Sequence, residues 1–367
     1  MSLQRTALAA LAALAALLSL PVGSGAQQAP PQPLEFHFAY RPAAFDALRE
    51  HIGQVTIVSP EPFIVDSAGN VTGELEPRVL ELAKAHGVKI MPQIKNLDKS
   101  QGLFSRAIAH SIFNDEAVKR RVIASMVEIC RRYDLYGMQV DIEAIHVEDR
   151  DALTRFYREA ADALHKDGRK ISIAVVHRAE ESAGPTTYTQ WMMEDWRGAF
   201  DLKALGEIGD YVKIMSYGQH TRRTPPGPSQ GLPWLEQVVQ HFLKYIPPEK
   251  LSLGITMSGS RWHAVSDPRN YPRLLGGTTS SGITREDAFA LVEKHGARPL
   301  EWDDRQKVLI GYVENGGVFE WLVLDNDVRS LDAKLDLVRK YRLRAINMWV
   351  NGREVPALWQ RVGDFRY

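Results

Sequence analysis

Short β-rich runs alternating with helically spaced stretches, eight runs joined by seven crossovers, predict an α/β fold, a (β/α)8 TIM barrel. Two further observations shape that expectation. The seventh crossover, between Thr256 and Ala345, is too long for one helix and predicts a small α+β insertion there. The first strand is followed by Arg41-Pro42-Ala43, not by the glycine-rich turn usual after the first strand of a doubly wound open sheet.

The strands are expected in the runs Leu34–Tyr40 (LEFHFAY), Gln54–Pro60 (QVTIVSP), Lys89–Lys95 (KIMPQIK) and Gly137–Glu143 (GMQVDIE). They continue with Lys170–Val176 (KISIAVV), Tyr211–Tyr217 (YVKIMSY), Lys250–Thr256 (KLSLGIT) and Ala345–Asn351 (AINMWVN). Between them, Glu76–Ala85, Ala117–Arg132, Arg150–His165 and Leu331–Tyr341 carry apolar residues at the helical period. Inside the long crossover Thr284 is placed to cap a helix over Arg285–His295, with Gly296 to stop it. Lys307–Glu314 and Val318–Leu324 flank Asn315-Gly316-Gly317, a hairpin signal. The expected organisation is a barrel over residues 34–260 and 328–367 with an α+β insertion over 261–327.

Composition bounds the function. Lys+Arg and Asp+Glu both number 45, so no cationic excess exists to neutralise nucleic-acid phosphates or anionic lipid. A hydrophobic fraction of 44% with 25% charged residues is that of a packed globular chain. Cys130 is the one cysteine, which excludes an intrachain disulfide and a cysteine-based metal cluster. No metal-ligand pattern stands out among the 11 histidines, and neither metal nor cofactor is expected.

At the N-terminus Arg5, the apolar run Ala7–Leu20, Pro21 and the small residues Ser24-Gly25-Ala26 have the form of a cleaved signal peptide over residues 1–26. The run is shorter than the ~20 residues a spanning helix needs, and no cysteine follows it for lipid attachment. A polar, Pro-rich leader over 27–33 (QQAPPQP) comes next. The mature chain is expected to be exported to the periplasm or beyond, to cross no membrane and to be monomeric.

The fourth strand is the most informative segment. Side chains alternate along a strand, so Gln139, Asp141 and Glu143 share one face and Met138, Val140 and Ile142 the other. With the apolar face against helices, the polar face points into the barrel, and catalytic groups of such barrels sit at the C-terminal strand ends. Two carboxyls two residues apart repel when both are ionised, which raises one pKa and yields a proton donor near neutral pH. That suits general-acid catalysis. Tyr217 ends the sixth strand on the face of Met215, and Trp349 lies in the eighth between Asn347 and Asn351. Lys213 and Lys95 read as strand-end or solvated charges.

These residues resemble glycoside hydrolase family 18, the chitinase-like barrel, and most closely its spore-germination, cortex-lytic N-acetylglucosaminidase branch. The family's fourth-strand pattern Asp-Gly-x-Asp-x-Asp-x-Glu stands here as Tyr136-Gly137-Met138-Gln139-Val140-Asp141-Ile142-Glu143, and its sixth-strand Met-x-Tyr as Met215-Ser216-Tyr217. Pro225-Pro226-Gly227-Pro228, Leu232-Pro233-Trp234, Pro248–Ile255, Asp327–Leu331 and Ile346–Gly352 are similar to the branch as well. The resemblance implies a retaining hydrolase of β-linked N-acetylhexosamine glycan, peptidoglycan or chitin-like, working by substrate-assisted catalysis. It implies Glu143 as general acid, Asp141 as the holder of the substrate's acetamido group, Tyr217 as hydrogen-bond donor to its carbonyl and Trp349 as the floor under the sugar. Gln139, Met215, Tyr40 and Asn347 complete the expected substrate-binding set. The sequence departs from the pattern at Tyr136 and Gln139, where the family has aspartates, and at Gly218, where an aspartate usually follows the tyrosine. Gln219, His220 and His177 stand near enough to substitute. The alternative those departures raise is a catalytically weak or inactive carbohydrate-binding protein of the same fold, against which Glu143 is retained.

Overall fold

Eight parallel strands linked by helices form the body of the chain, which a computed structural model describes over residues 34–222, 224–264, 278–349 and 356–365. The expected signal peptide and leader lie outside the described residues, as do Asn351 and Gly352. The first strand is Glu35–Tyr40, the fourth Gly137–Asp141, the fifth Lys170–Val176 and the sixth Tyr211–Met215. The seventh is Leu251–Thr256 and the eighth Ala345–Trp349. The second is broken into Ile57–Pro60 and Phe63–Val65, and the third into Lys89–Ile90 and Gln93–Lys95. Prolines at positions 60, 62 and 92 explain the breaks, because a proline has no N–H to give to a ladder.

Pairing follows the broken halves. Ile57 and Val58 face Lys89 and Ile90, whereas Phe63 and Ile64 face Ile94 and Lys95. Every neighbouring pair, from first and second round to eighth and first, is thereby in parallel register. Helices Pro77–Ala85, Glu116–Arg132, Arg150–Lys166, Leu232–Leu243 and Val328–Tyr341 pack outside. They bury the outward strand residues Phe36, Phe38, Met138, Val140, Ile173, Ile214, Leu253 and Met348. Gly137 is required by a close approach: a Cβ there would lie 2.0 Å from the Lys170 carbonyl oxygen.

The expected fourth and sixth strands both run two residues too long. The ladder stops at Asp141, opposite Lys95, and at Met215, opposite Val176. Glu143 and Tyr217 therefore sit on loops just past the strand ends, where the chain turns out of the cylinder. Ala144, directly after Glu143, holds a left-handed φ of 56°.

The long crossover carries a five-stranded antiparallel sheet of Gly259–Ala264, Thr278–Ile283, Glu301–Asp303, Val308–Asn315 and Val318–Leu324. Gly316 and Gly317, with φ of 62° and 79°, make the two-residue hairpin turn. Helix Arg285–Lys294, capped by the Thr284 hydroxyl accepting from Asp287 N at 3.1 Å, covers one face through Ala288, Leu309, Leu322 and Leu324. The sheet is tied to the barrel by Asp325, which accepts from the backbone N–H groups of Ser229 and Gln230 at 2.9 and 2.8 Å.

Candidate active site

Inward-facing strand residues are usually apolar in such barrels; here many are polar. His37, Ser59, Gln93, Gln139, Ser172, Lys213, Ser252 and Asn347 are all buried. Lys213, read from sequence as a strand-end charge, is 1% exposed and donates to Ser59 Oγ at 3.0 Å. Burial lowers its pKa to about 7, against the pull of Asp141 and Glu61. Lys95 is not solvated either: its Nζ donates to Glu61 Oε2 at 2.9 Å, and Arg41 Nη2 reaches the same oxygen at 3.3 Å. Each lysine is held by a group distant in sequence, Lys95 by the Glu61 carboxylate and Lys213 by the Ser59 hydroxyl.

Asp141 ends the fourth strand, buried, with Oδ1 lacking a protein partner. Burial, reinforced by the Glu61 charge, pushes its carboxyl up to about 7, while Lys95, Lys213 and Arg41 oppose the rise. Glu143 is held well above the usual carboxylate range by burial and then by Asp141. The acidic pair therefore favours the protonated form of Glu143. The Glu143 backbone is clamped by Asn96, fully buried after the third strand. Asn96 Oδ1 accepts from Glu143 N at 3.0 Å, and its Nδ2 donates to the carbonyls of Glu143 and Ser105, each at 2.9 Å.

Tyr217 lies where both acids act on it. Burial first, then Glu143 and Asp141, hold its phenol protonated, and a protonated phenol is a donor. Its ring is parallel to that of Trp349, 11° apart in plane with centroids at 6.2 Å, and the Arg41 guanidinium lies 4.4 Å over Trp349. Gly254 on the seventh strand makes room: a Cβ there would meet Ile214 O at 2.4 Å and Tyr217 Cε1 at 3.2 Å.

The remaining expected residues divide. Gln139 and Asn347 are buried in the barrel, each with a side-chain oxygen that no protein donor meets. Met215 is buried at the end of the sixth strand, its carbonyl taking up His177 Nδ1 at 3.1 Å. Tyr40 stands apart, because it shares the outward face of Phe36 and Phe38; its hydroxyl donates to Glu76 Oε2 at 3.0 Å. It lines a cavity of about 400 Å³ that also has in its wall Arg41, Glu61 and Lys95, the groups whose charges act on Asp141. The residues near Gly218 are engaged elsewhere. Gln219 Oε1 accepts from Gly231 N at 2.8 Å, and His220 Nδ1 lies 2.9 Å from Pro225 O. Sequence reasoning missed Glu61, Arg41 and Asn96, whose one legible signal was a position just after a short strand.

A barrel whose mouth carries a buried Asp/Glu pair acting on a tyrosine that lies parallel to a tryptophan has the layout of a glycoside hydrolase. The model of the glycosyl hydrolases family 18 matches residues 44–353, and the chain belongs to that family; its substrate is a glycan. It is 28% identical over 321 residues to the cortical fragment-lytic enzyme of Bacillus subtilis, across 87% of this chain and 69% of that relative. The spore cortex-lytic enzyme SleL of Bacillus cereus shares the fold with a TM-score of 0.78 at 21% identity, over 91% of this chain and 75% of that one. A chitinase from Chromobacterium violaceum does so with a TM-score of 0.77 at 23% identity, over 90% and 100%.

Proposed function

We infer that the protein is a retaining hydrolase of β-linked N-acetylhexosamine glycan, of the peptidoglycan or chitin type, working by substrate-assisted catalysis. The observation that carries this is the pair of carboxyls two residues apart, both raised by burial, Asp141 further by Glu61 and Glu143 further by Asp141, beside a protonated tyrosine. Glu143 protonates the glycosidic oxygen. Asp141 orients the 2-acetamido group, whose carbonyl oxygen attacks the anomeric carbon, and Tyr217 donates to that carbonyl. Water then opens the resulting oxazolinium ring, with Glu143 now accepting the proton, so configuration is retained. Trp349 offers the face against which the sugar ring lies. The pattern of residues 1–26 adds export as the route by which the enzyme meets an envelope glycan; among the described residues no helix is long and apolar enough to cross a membrane.

The test pairs a variant with an inhibitor. Glu143→Gln should lower release of reducing ends from N-acetylated glycan by about 10²- to 10⁴-fold, the usual worth of a general acid, with the melting temperature preserved. A thiazoline analogue of the cyclised acetamido group should inhibit the wild type. Unchanged turnover in the variant would remove Glu143 from its role, and indifference to the thiazoline would point to attack by water or an enzyme nucleophile.

A further inference from the structure

Lys95 and Asp141 stand directly opposite each other on the third and fourth strands. Partners in a ladder present their side chains to the same face, with the strands about 4.8 Å apart, well within the reach of a lysine. An ion pair between the two is what that register leads one to expect. It does not form. Lys95 Nζ turns the other way, toward the second strand, and lies 2.9 Å from Glu61 Oε2. Asp141 Oδ1 is left buried with no donor among the described residues.

Glu61 is built into the fold to make this hold. It sits between Pro60 and Pro62, in the break that divides the second strand. Pro62 confines the Glu61 backbone to the extended region, and the side chain is only 7% exposed. Its Oε2 also accepts from Nη2 and Nε of Arg41 at 3.3 and 3.4 Å, while the Arg41 guanidinium lies over Trp349. One carboxylate oxygen is thus shared by two cations from the first and third strands. Lysine is a point charge on a flexible stem, so the partner decides where Nζ rests.

The consequence falls on Asp141. An ammonium seated on that carboxyl would occupy the acceptor that the acetamido N–H of a bound sugar needs, and would pin the side chain to the barrel wall. The charge of Lys95 already acts on Asp141, and the charge of Glu61 opposes it. The lysine is therefore close enough to change partners once Glu61 lets go.

We propose that Glu61 is a positioning residue: it draws Lys95 off its cross-strand partner and so leaves the Asp141 carboxyl free for the substrate's acetamido group. Neither Glu61 nor Lys95 takes part in the bond changes. The identity of the ligand rests on the glycosidase reading above, whereas the choice of partner by Lys95 is a property of the free protein.

The test begins with Glu61→Met, which keeps the length of the side chain and removes the acceptor. Its crystal structure should place Lys95 Nζ about 2.8 Å from an Asp141 oxygen, the length of a charge-assisted bond. Calorimetry should show the thiazoline bound about 10- to 100-fold more weakly than by wild type, the worth of one hydrogen bond to a charged group, and turnover should fall with it. The decisive variant combines Glu61→Met with Lys95→Met. With the lysine gone nothing seats on Asp141, so thiazoline affinity and turnover should return to the level of Lys95→Met alone, a recovery that damage to the fold would not show. Glu61→Gln, with and without Lys95→Met, repeats the comparison in a milder background, because the amide keeps an acceptor for Lys95. Lys95 unmoved in the Glu61→Met structure, or double variants as weak as the Glu61 single variants, would overturn the proposal. A wild type that neither cleaves N-acetylated glycan nor binds the thiazoline would defeat the glycosidase reading instead, and the Glu61→Met structure would still decide which carboxyl Lys95 takes.

Discussion

Replacing Asp141 by Asn should stabilise the protein while disabling it. The native carboxyl titrates at about 7 because burial and Glu61 penalise its charge, whereas an aspartate in the unfolded chain titrates at about 3.9. The native state thus holds a proton that the unfolded state has already released, so stability falls as pH rises between those values and the whole penalty stands above about pH 7. Each tenfold in proton affinity is worth about 1.4 kcal/mol, which makes the full penalty about 4 kcal/mol. Asn has no charge to bury and escapes it. Lys213 loses an attractive neighbour in the exchange, so this figure is a ceiling. With about 2 cal/mol/K of unfolding entropy per residue, a chain of this size turns it into at most about 6 °C of melting temperature. Scanning calorimetry of both proteins at several pH values is the assay. The two should melt together near pH 4, diverge through the range where Asp141 ionises, and differ most at about pH 8. Turnover of the variant should meanwhile drop by about 10²-fold or more. An Asn variant no more stable than wild type at about pH 8, or equally stabilised near pH 4, would refute the claim that Asp141 is held protonated by a buried, acidic environment.

Three other outcomes follow from the geometry. Asn96→Ala strips the Glu143 backbone and the Ser105 carbonyl of their partners; urea unfolding should show a loss of about 1–3 kcal/mol, and kcat should fall although Glu143 itself is intact. Tyr217→Phe keeps the parallel packing on Trp349 and loses only the hydroxyl, so steady-state kinetics should show kcat reduced by about 10- to 10²-fold with the fold unchanged by circular dichroism. Gly254→Ala forces a methyl against Ile214 O and the Tyr217 ring; overpacking of this kind costs about 1–3 kcal/mol, and melting temperature and activity should fall together.

What the sequence made legible and what it hid divide along a physical line. Properties of one segment were readable: the alternation in Gly137–Asp141 turns Gln139 and Asp141 inward whatever surrounds them, and Thr284 caps its helix from three residues away. The length of a strand was less so, because Ile142-Glu143 and Ser216-Tyr217 continue the pattern after their ladder partners have run out. Groups that act through neighbours from other strands were hidden altogether. Lys213 and Lys95 looked like solvent-facing ends, since a lysine is seldom buried without a partner, and the acids near them along the chain, Asp210 and Asp98, bond elsewhere. Only the register of the barrel brings Glu61, from the break between the two halves of the second strand, within reach of Lys95, Lys213 and Asp141 at once. That supplies what the fourth strand lacks by having Tyr136 and Gln139 where acids were expected. The charge acting on Asp141 comes from the second strand instead of from its own. A site can therefore keep its electrostatics while its motif drifts, provided the lost charge reappears at a position that the closed sheet makes adjacent.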